Sequence, residues 1–160
     1  MRALRWLALV AVVLAALSLG ASAAAADSGR NFVAHLSSGN EVPPRDTGAQ
    51  GEAIFHLSPD RSTLHYKLIV ANIDNVAVSH IHLAPAGMNG GVVVFLYPGP
   101  SRPGRTDGVL AEGDITSADL INALAGHPLR DLLTAMDSGG AYVNVHTTAF
   151  PGGEIRGQIH

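Results

Sequence analysis

The sequence predicts an all-β domain, folded as an antiparallel β-sandwich with a small helical insertion near residues 117–136. Apolar and polar residues alternate along several short segments, which is the pattern of strands with one buried face. Clusters of Gly, Pro, Ser and Asn separate these segments, and such residues favour turns. Apolar residues recur at helical spacing in the insertion. Two packed sheets are the simplest way to bury the inner faces of seven or eight short strands.

The first three strands are predicted from alternation and from the turns between them. The candidate segments are 31–36, 52–57 and 62–71. A Ser-Pro-Asp turn joins the second and third segments, which is typical of a hairpin. Gly and Pro residues between the first and second segments indicate a loop.

The central part of the chain is predicted to hold three further strands. Segments 76–83 and 91–97 are the first two, and the second is rich in Val, as in a strand buried on both faces. Segment 98–108 contains three Pro and three Gly, which predicts a surface loop. A short strand is expected over residues 109–115.

The helical insertion follows. Thr116–Asp119 resembles an N-terminal capping box, with Asp in place of the usual Glu. Apolar residues at helical spacing then predict one short helix over 120–124 and a second over 129–136. The last two strands are expected at 141–146 and 154–159, joined by a Pro-Gly-Gly turn.

Residues 1–26 have the composition of an export signal peptide. Arg2 and Arg5 supply its positive start, an apolar run follows, and small residues allow cleavage after Ala23 or Ala26. An uncleaved membrane anchor is the alternative, but the run is short for a hydrocarbon core about 30 Å thick.

We therefore expect a secreted or extracytoplasmic protein with no membrane span once the signal peptide is removed. Residues 27–30 are predicted to be a short disordered start, and residues 31–160 to form the domain.

Composition excludes several classes of protein. The chain has 160 residues and no Cys, so it is neither a disulfide-stapled miniprotein nor a Cys-based zinc module. Its net charge of −3 becomes −5 without Arg2 and Arg5, so nucleic acid is not an expected partner. Ser residues are present, but none lies in a G-x-S-x-G motif, and we predict no catalytic residue.

Three histidines form a candidate metal site. His80 and His82 are two residues apart on one predicted strand, so their side chains share a face. His146 lies on another predicted strand, on the same face as Tyr142 and Asn144. If the two strands are neighbours, the three imidazoles converge, and imidazole is a good ligand for zinc and copper. The alternative is that these side chains only make structural hydrogen bonds.

The remaining histidines and charges carry weaker signals. Glu154 and Arg156 are expected to form a structural ion pair on the last strand. The Gly-rich stretch 87–91 lacks the Lys-Ser/Thr of a phosphate loop and is interpreted as a turn. The other five histidines look scattered, on the surface or partly buried, namely His35, His56, His65, His127 and His160.

Three blocks of this sequence resemble the motifs of CHRD (chordin) domains. The run His80–Gly90, HIHLAPAGMNG, is similar to the family's AHIHxGxxGxNG core. Leu36–Pro44, LSSGNEVPP, is similar to its opening LSGxNEVPP. Tyr142–Thr147 and Pro151–Ile159 look like its closing motif. The blocks occur in family order and together are highly specific, although Ser79 and Leu83 stand where the family usually has Ala and Gly.

The resemblance implies an extracellular, all-β, immunoglobulin-like domain. In animals such domains occur as repeats in chordin, a secreted antagonist that binds growth factors, and in bacteria they often stand alone behind a signal peptide. The growth-factor activity is not carried over to a lone domain. The spacing of His80 and His82 is also similar to that of Cu,Zn superoxide dismutases, which are sandwiches with an His-x-His strand.

Three functions follow from these expectations. The first is an exported, non-catalytic binding or structural module whose partner is an unknown extracellular protein or glycan, with no cofactor required. The second is a copper- or zinc-binding protein that uses His80, His82 and His146. The third, less favoured, is a redox enzyme like superoxide dismutase.

Overall fold

A computed structural model describes residues 30–160. The predicted signal peptide over 1–26 and the first three residues of the predicted disordered start, 27–30, lie outside the described residues. Arg30, the last residue of that start, is described, and its carbonyl accepts a hydrogen bond of 2.8 Å from the Leu57 amide. The described part contains seven strands and one α-helix, and no helix in it is long and apolar enough to cross a membrane. The elements are β1 (Asn31–Ser37), β2 (Gln50–Leu57), β3 (Leu64–Leu83), β4 (Gly91–Tyr97), β5 (Arg102–Ile115), α1 (Leu129–Asp137), β6 (Ala141–Thr147) and β7 (Ile155–Gln158).

The strands form a small closed barrel in which every pairing is antiparallel. Their order is β2-β1-β7-β6-β3-β4, and a further pairing of β2 with β3 closes the path on itself. β5 lies outside this path and pairs with β3. The predicted all-β class with a small helical insertion is confirmed. The immunoglobulin-like or superoxide-dismutase-like arrangement stays a prediction.

β3 is the hub of the barrel. Its first half pairs with β2 and β5, and its second half pairs with β6 and β4. The prediction of two separate strands here, 62–71 and 76–83, is wrong, because the chain continues as one strand of 20 residues. Asn72 and Asn75 adopt positive φ angles of 55° and 53° and the pairing shifts register around them, so bulges replace the expected break.

β5 corrects a second prediction. The segment 98–108 was expected to be a surface loop, but β5 begins at Arg102 and runs for 14 residues. Of the six Gly and Pro residues that predict a loop here, Pro103, Gly104 and Gly108 lie in β5, which is an irregular edge strand, and the other three precede it. Gly104 and Gly108 have positive φ angles of 76° and 105°, beside register shifts in the pairing with β3.

The helical insertion is less regular than expected. Thr116 does form the predicted capping box with Asp119, but it begins a single 3-10 turn over Ser117–Asp119. A second 3-10 turn covers Asn122–Leu124, so the predicted helix over 120–124 is only one turn long. The second predicted helix is confirmed as α1, which buries four apolar side chains against the barrel.

Two features of the barrel position the candidate site. The inward face of β3 and β6 packs Ile81, Val143 and Val145 into the core, each fully buried. The residues between them in sequence therefore point to the outer face. The first and last parts of the described residues meet in a seam, where Val33 and His160 exchange two backbone hydrogen bonds of 2.9 and 3.0 Å. The same seam pairs β7 with β1, where Ser37 lies opposite Arg156.

Candidate functional site

The outer face of β3 and β6 carries the three predicted metal ligands. The pairing sets His80 opposite Asn144, His82 opposite Tyr142, and Val78 opposite His146. The prediction that the two strands are neighbours is therefore confirmed. Because alternate residues share a face, the imidazoles of His80, His82 and His146 lie together.

Loops cover this part of the outer face. His80 and His82 are only 8% and 7% exposed, and His146 is partly buried. The ring of Phe95 on β4 packs edge-on against His80, with the ring centroids 4.7 Å apart. The site is thus sheltered just beneath the protein surface.

Backbone carbonyls orient two of the three rings. The Nδ1 atom of His82 lies 2.9 Å from the carbonyl oxygen of Gly90, and that of His146 lies 2.9 Å from the carbonyl oxygen of Pro151. A carbonyl can only accept a hydrogen bond, so both Nδ1 atoms carry the proton. In the neutral rings, Nε2 then presents a lone pair, which is the form that binds a metal.

The ring nitrogens converge. One nitrogen from each of His80, His82 and His146 lies within 4.8 Å of the other two. The closest pair is Nδ1 of His80 and Nε2 of His146, which are 3.2 Å apart. The rings of His80 and His82 meet edge-on, with centroids 5.4 Å apart.

Asn144 lies at the centre of the cluster and was not among the predicted ligands. Its Oδ1 atom is 3.0 Å from Nε2 of His82 and 3.0 Å from Nε2 of His146. The period-two alternation along β6 already placed Asn144 on the same face as His146. The alternation alone does not predict that Asn144 lies between the imidazole of His82 on β3 and that of His146 on β6.

Burial disfavours the charged form of all three imidazoles. It lowers the pKa of His80 to about 4, and repulsion from His146 and His82 acts in the same direction. Burial also lowers the pKa of His82 and of His146, although their hydrogen bonds to backbone carbonyls oppose the shift. The cluster is therefore a set of neutral nitrogen donors near neutral pH.

A buried ion pair supports the same face and corrects another prediction. Arg156 Nη2 lies 2.9 Å from Oε2 of Glu41, and the two side chains are 4% and 1% exposed. The expected partner, Glu154, instead accepts a hydrogen bond of 2.8 Å from the Thr147 hydroxyl. Glu154 precedes β7, so it does not continue the alternation that aims Arg156 outward.

Arg156 also ties the covering loops to the sheet. Its Nη1 donates to the Met88 carbonyl at 2.9 Å, and its Nη2 donates to Oδ1 of Asn89 at 2.5 Å. The guanidinium carbon sits 4.1 Å from the centroid of the Tyr142 ring, which in turn stacks on His82. One buried cation thereby links the loop after β3 to the histidine cluster.

Gly153 permits the close packing around Glu41. Its φ angle is +115°, in a region that favours glycine. A Cβ atom at this position would lie 2.3 Å from Glu41 Oε1 and 3.1 Å from Asn144 Nδ2. Both polar atoms therefore lie against the glycine backbone.

The remaining histidines stay outside the cluster, as expected. Four of them are exposed and bond to a nearby polar side chain, and His160 is exposed at the end of the barrel seam. The four pairs are His35 with Glu52, His56 with Asn31, His65 with Asp114, and His127 with Asp131.

Comparison with known proteins places these features in a family. The chain is 32% identical over 128 residues to chordin of Xenopus laevis, an alignment that covers 74% of this chain and 12% of that protein. The chain thus spans only a small part of its curated relative. No solved structure matches it. The family model for the CHRD domain matches residues 32–159, which include the whole barrel seam except its last residue. The chain accordingly belongs to the CHRD domain family.

Proposed function

We propose that this chain is an exported, non-catalytic binding or structural module that contacts an extracellular protein through the loop-covered face. Its membership of the CHRD family and its similarity to chordin support an extracellular setting. The composition of residues 1–26 supports export through a cleaved signal peptide. The short helices and closed barrel offer a rigid frame for loops, which is how binding modules present contact residues.

One observation carries the binding role. Met88 and Phe95 are 57% and 47% exposed. Phe95 packs against His80 of the cluster, and Met88 belongs to the loop that Arg156 holds through the Met88 carbonyl. Among the described residues, the only other large apolar side chain this exposed is Val109, on β5. Met and aromatic side chains are enriched at protein interfaces, so we favour a protein over a glycan as the partner.

We infer that the barrel is flattened into the immunoglobulin-like or superoxide-dismutase-like sandwich that the family resemblance implies. The bulges at Asn72 and Asn75 support this inference, because they divide β3 into halves that pair with different strands. A crystal structure with two facing sheets is the expected result, and an open round barrel would contradict it.

Export is tested by the N-terminus of the mature chain. Expression with the full leader should yield an extracytoplasmic protein that begins at Ala24 or Asp27, as read by intact mass. A chain retained in the cytoplasm with Met1 intact would refute the exported module.

Binding is tested with the mature chain immobilised against the extracellular proteins of its source and against a glycan array. We expect saturable binding to a protein that falls at least about tenfold when Met88→Ser and Phe95→Ser are combined. Val109→Ser removes a similarly exposed side chain elsewhere and should leave binding unchanged. Binding to glycans alone, or equal loss in the control, would overturn the assignment of this face.

A second candidate function is the binding of a copper or zinc ion by His80, His82 and His146. The specific observation in its favour is that neutral ring nitrogens of all three residues converge within 4.8 Å. The Nδ1 hydrogen bonds of His82 and His146 resemble the outer-shell bonds that commonly orient histidine ligands.

Metal binding is tested by loading the mature protein with Zn(II) or Cu(II), desalting it, and measuring retained metal by mass spectrometry. One ion per chain is expected, and His80→Gln with His82→Gln should abolish retention. His56→Gln with His65→Gln is the matched control on exposed residues. If the wild-type protein retains no metal, this candidate fails. Superoxide dismutation by the copper-loaded protein would instead favour the redox enzyme.

A further inference from the structure

The amide of Asn144 faces an unusual set of neighbours. Its Oδ1 atom lies 3.0 Å from two imidazole nitrogens whose rings are protonated on the opposite nitrogen. Three lone-pair donors thus point toward one another with no proton between Oδ1 and either Nε2. In a sheltered site such an arrangement is unfavourable unless a cation lies among the donors.

A reversed amide does not remove the conflict. It would turn Nδ2 toward the imidazoles but would bring Oδ1 to the side of Glu41. There, Oε1 of Glu41 is buried and has no hydrogen-bond partner among the described residues. Both Glu41 Oε1 and Asn144 Nδ2 lie against Gly153, so a reversed amide would place its oxygen on the side of this carboxylate. The orientation that keeps the two oxygens apart leaves the amide oxygen facing His82 and His146.

We propose that Asn144 Oδ1 is the fourth donor of the cation site, completing a set of three imidazole nitrogens and one amide oxygen. This inference rests on the proposed metal binding by His80, His82 and His146. Asn144 Oδ1 lies 3.0 Å from Nε2 of His82 and of His146, and Nδ1 of His80 lies 3.2 Å from Nε2 of His146. Bonds of about 2.0 Å in a tetrahedron place ligand atoms about 3.3 Å apart. These three separations are close to the tetrahedral value, and all three imidazole nitrogens lie within 4.8 Å of one another.

The donor chemistry selects a divalent ion of Zn(II) type. Imidazole suits borderline metals, tetrahedral geometry suits zinc, and the chain has no thiolate to recruit softer ions. All four donors are neutral, so the ion would keep its full double charge.

Two substitutions at one position separate a ligand from a structural hydrogen-bonding group. Asn144→Asp keeps an oxygen at the site and adds a negative charge, whereas Asn144→Ala removes the oxygen. Asn31→Asp makes the same chemical change at an exposed residue and keeps its acceptor for His56, so it is the matched control.

Zn(II) affinity is measured by competition with a chromophoric chelator, and coordination is read from the visible spectrum of the Co(II)-loaded protein. We expect Asn144→Ala to weaken Zn(II) binding at least about tenfold, and Asn144→Asp to strengthen it by a similar factor. Asn144→Asp should also shift the Co(II) bands, while Asn31→Asp changes neither readout.

The outcomes are distinguishable. If wild-type protein binds no Zn(II), the proposed metal function fails and this inference fails with it. If wild-type protein binds but Asn144→Ala binds equally tightly or more tightly, only the role of Asn144 is refuted, because a mere hydrogen-bonding group would compete with the metal. Should Asn144→Ala not fold, unchanged Co(II) bands in Asn144→Asp would refute the role instead.

Discussion

The two halves of β3 both alternate inward and outward side chains, but the outward histidines are exposed in the first half and buried in the second. In the first half, His65 and Lys67 point to solvent, where they pair with Asp114 and Glu112 of β5. In the second half, His80 and His82 point the same way and are almost fully buried. The difference comes from the loops that Arg156 and Glu41 hold over the second half.

This contrast teaches that a strand sets the direction of a side chain while the covering loops set its environment. An exposed histidine keeps its solvent shell. A histidine under a loop must be satisfied by carbonyls, amides or a cation.

The largest expected effect is the loss of the buried cation. Arg156→Ala leaves the Glu41 carboxylate buried without its partner and should lower the free energy of unfolding by about 3 to 5 kcal/mol. Lys67→Ala breaks the exposed pair on the other half and should cost under about 1 kcal/mol. Chemical denaturation of both variants measures the difference, and equal losses would contradict the proposed role of coverage.

The next effect is steric. Gly153→Ala forces a Cβ against Glu41 at a positive φ angle and should cost about 2 to 3 kcal/mol. Gly104→Ala, on β5, also has a positive φ angle but meets open space, so only backbone strain of about 1 kcal/mol is expected. Thermal unfolding compares them. A loss at Gly104 as large as that at Gly153 would show that strain alone, and not packing against Glu41, explains both.

The third effect is a pH dependence confined to the covered half. Burial lowers the pKa of His80 from 6.5 to about 4 and lowers those of His82 and His146, so the unfolded chain takes up protons first as pH falls. The stability of the metal-free protein should be full above about pH 6.5 and decline toward pH 4, with a drop in melting temperature on the order of 5 °C.

The variant His80→Gln should flatten that decline, whereas His65→Gln on the exposed half should keep the wild-type profile. Glu41 and Arg156 face the cluster with opposite charges, and their pairing limits the net field that either imposes on His146. A decline that persists unchanged in His80→Gln would place its origin in the carboxylates instead.

The smallest effect concerns neutral hydrogen bonds. The Tyr142 hydroxyl accepts a bond of 3.2 Å from the Gly90 amide, and the Tyr66 hydroxyl donates one of 2.7 Å to the Leu96 carbonyl. Tyr142→Phe and Tyr66→Phe should each cost about 1 kcal/mol, as measured by urea denaturation. A much larger loss for Tyr142→Phe would mean that coverage strengthens neutral contacts as well as charged ones.

Much of the strand pattern could be predicted from local sequence. Alternation located most strands and aligned His80 with His82, and the same rule placed Asn144 and His146 together. Turn-favouring residues wrongly predicted breaks where the structure has β-bulges within continuous strands. Bulges at Asn72 and Asn75 interrupt the pairing of β3 without ending the strand, and Pro103, Gly104 and Gly108 lie within the edge strand β5.

The support of the site depends on contacts that local patterns do not encode. Glu41 and Arg156 lie far apart in the chain, and nothing in either segment indicates that they pair. The expected partner, Glu154, is close to Arg156 in sequence, but its carboxylate accepts a hydrogen bond from Thr147 instead. A buried pair of this kind becomes predictable only when the order of the strands is known, since the β1–β7 seam brings the two segments together.

That seam has a kinetic consequence. It joins Val33 to His160 and Ser37 to Arg156, so the barrel cannot close until the last strand is available. Pairing residues from opposite ends of a chain costs much loop entropy before any contact is gained. We expect the hairpins around β3 to form early and the seam to form late, as a slow step that sets the overall folding rate. The histidine cluster, which depends on β7 through Arg156, would then take shape only in that final step.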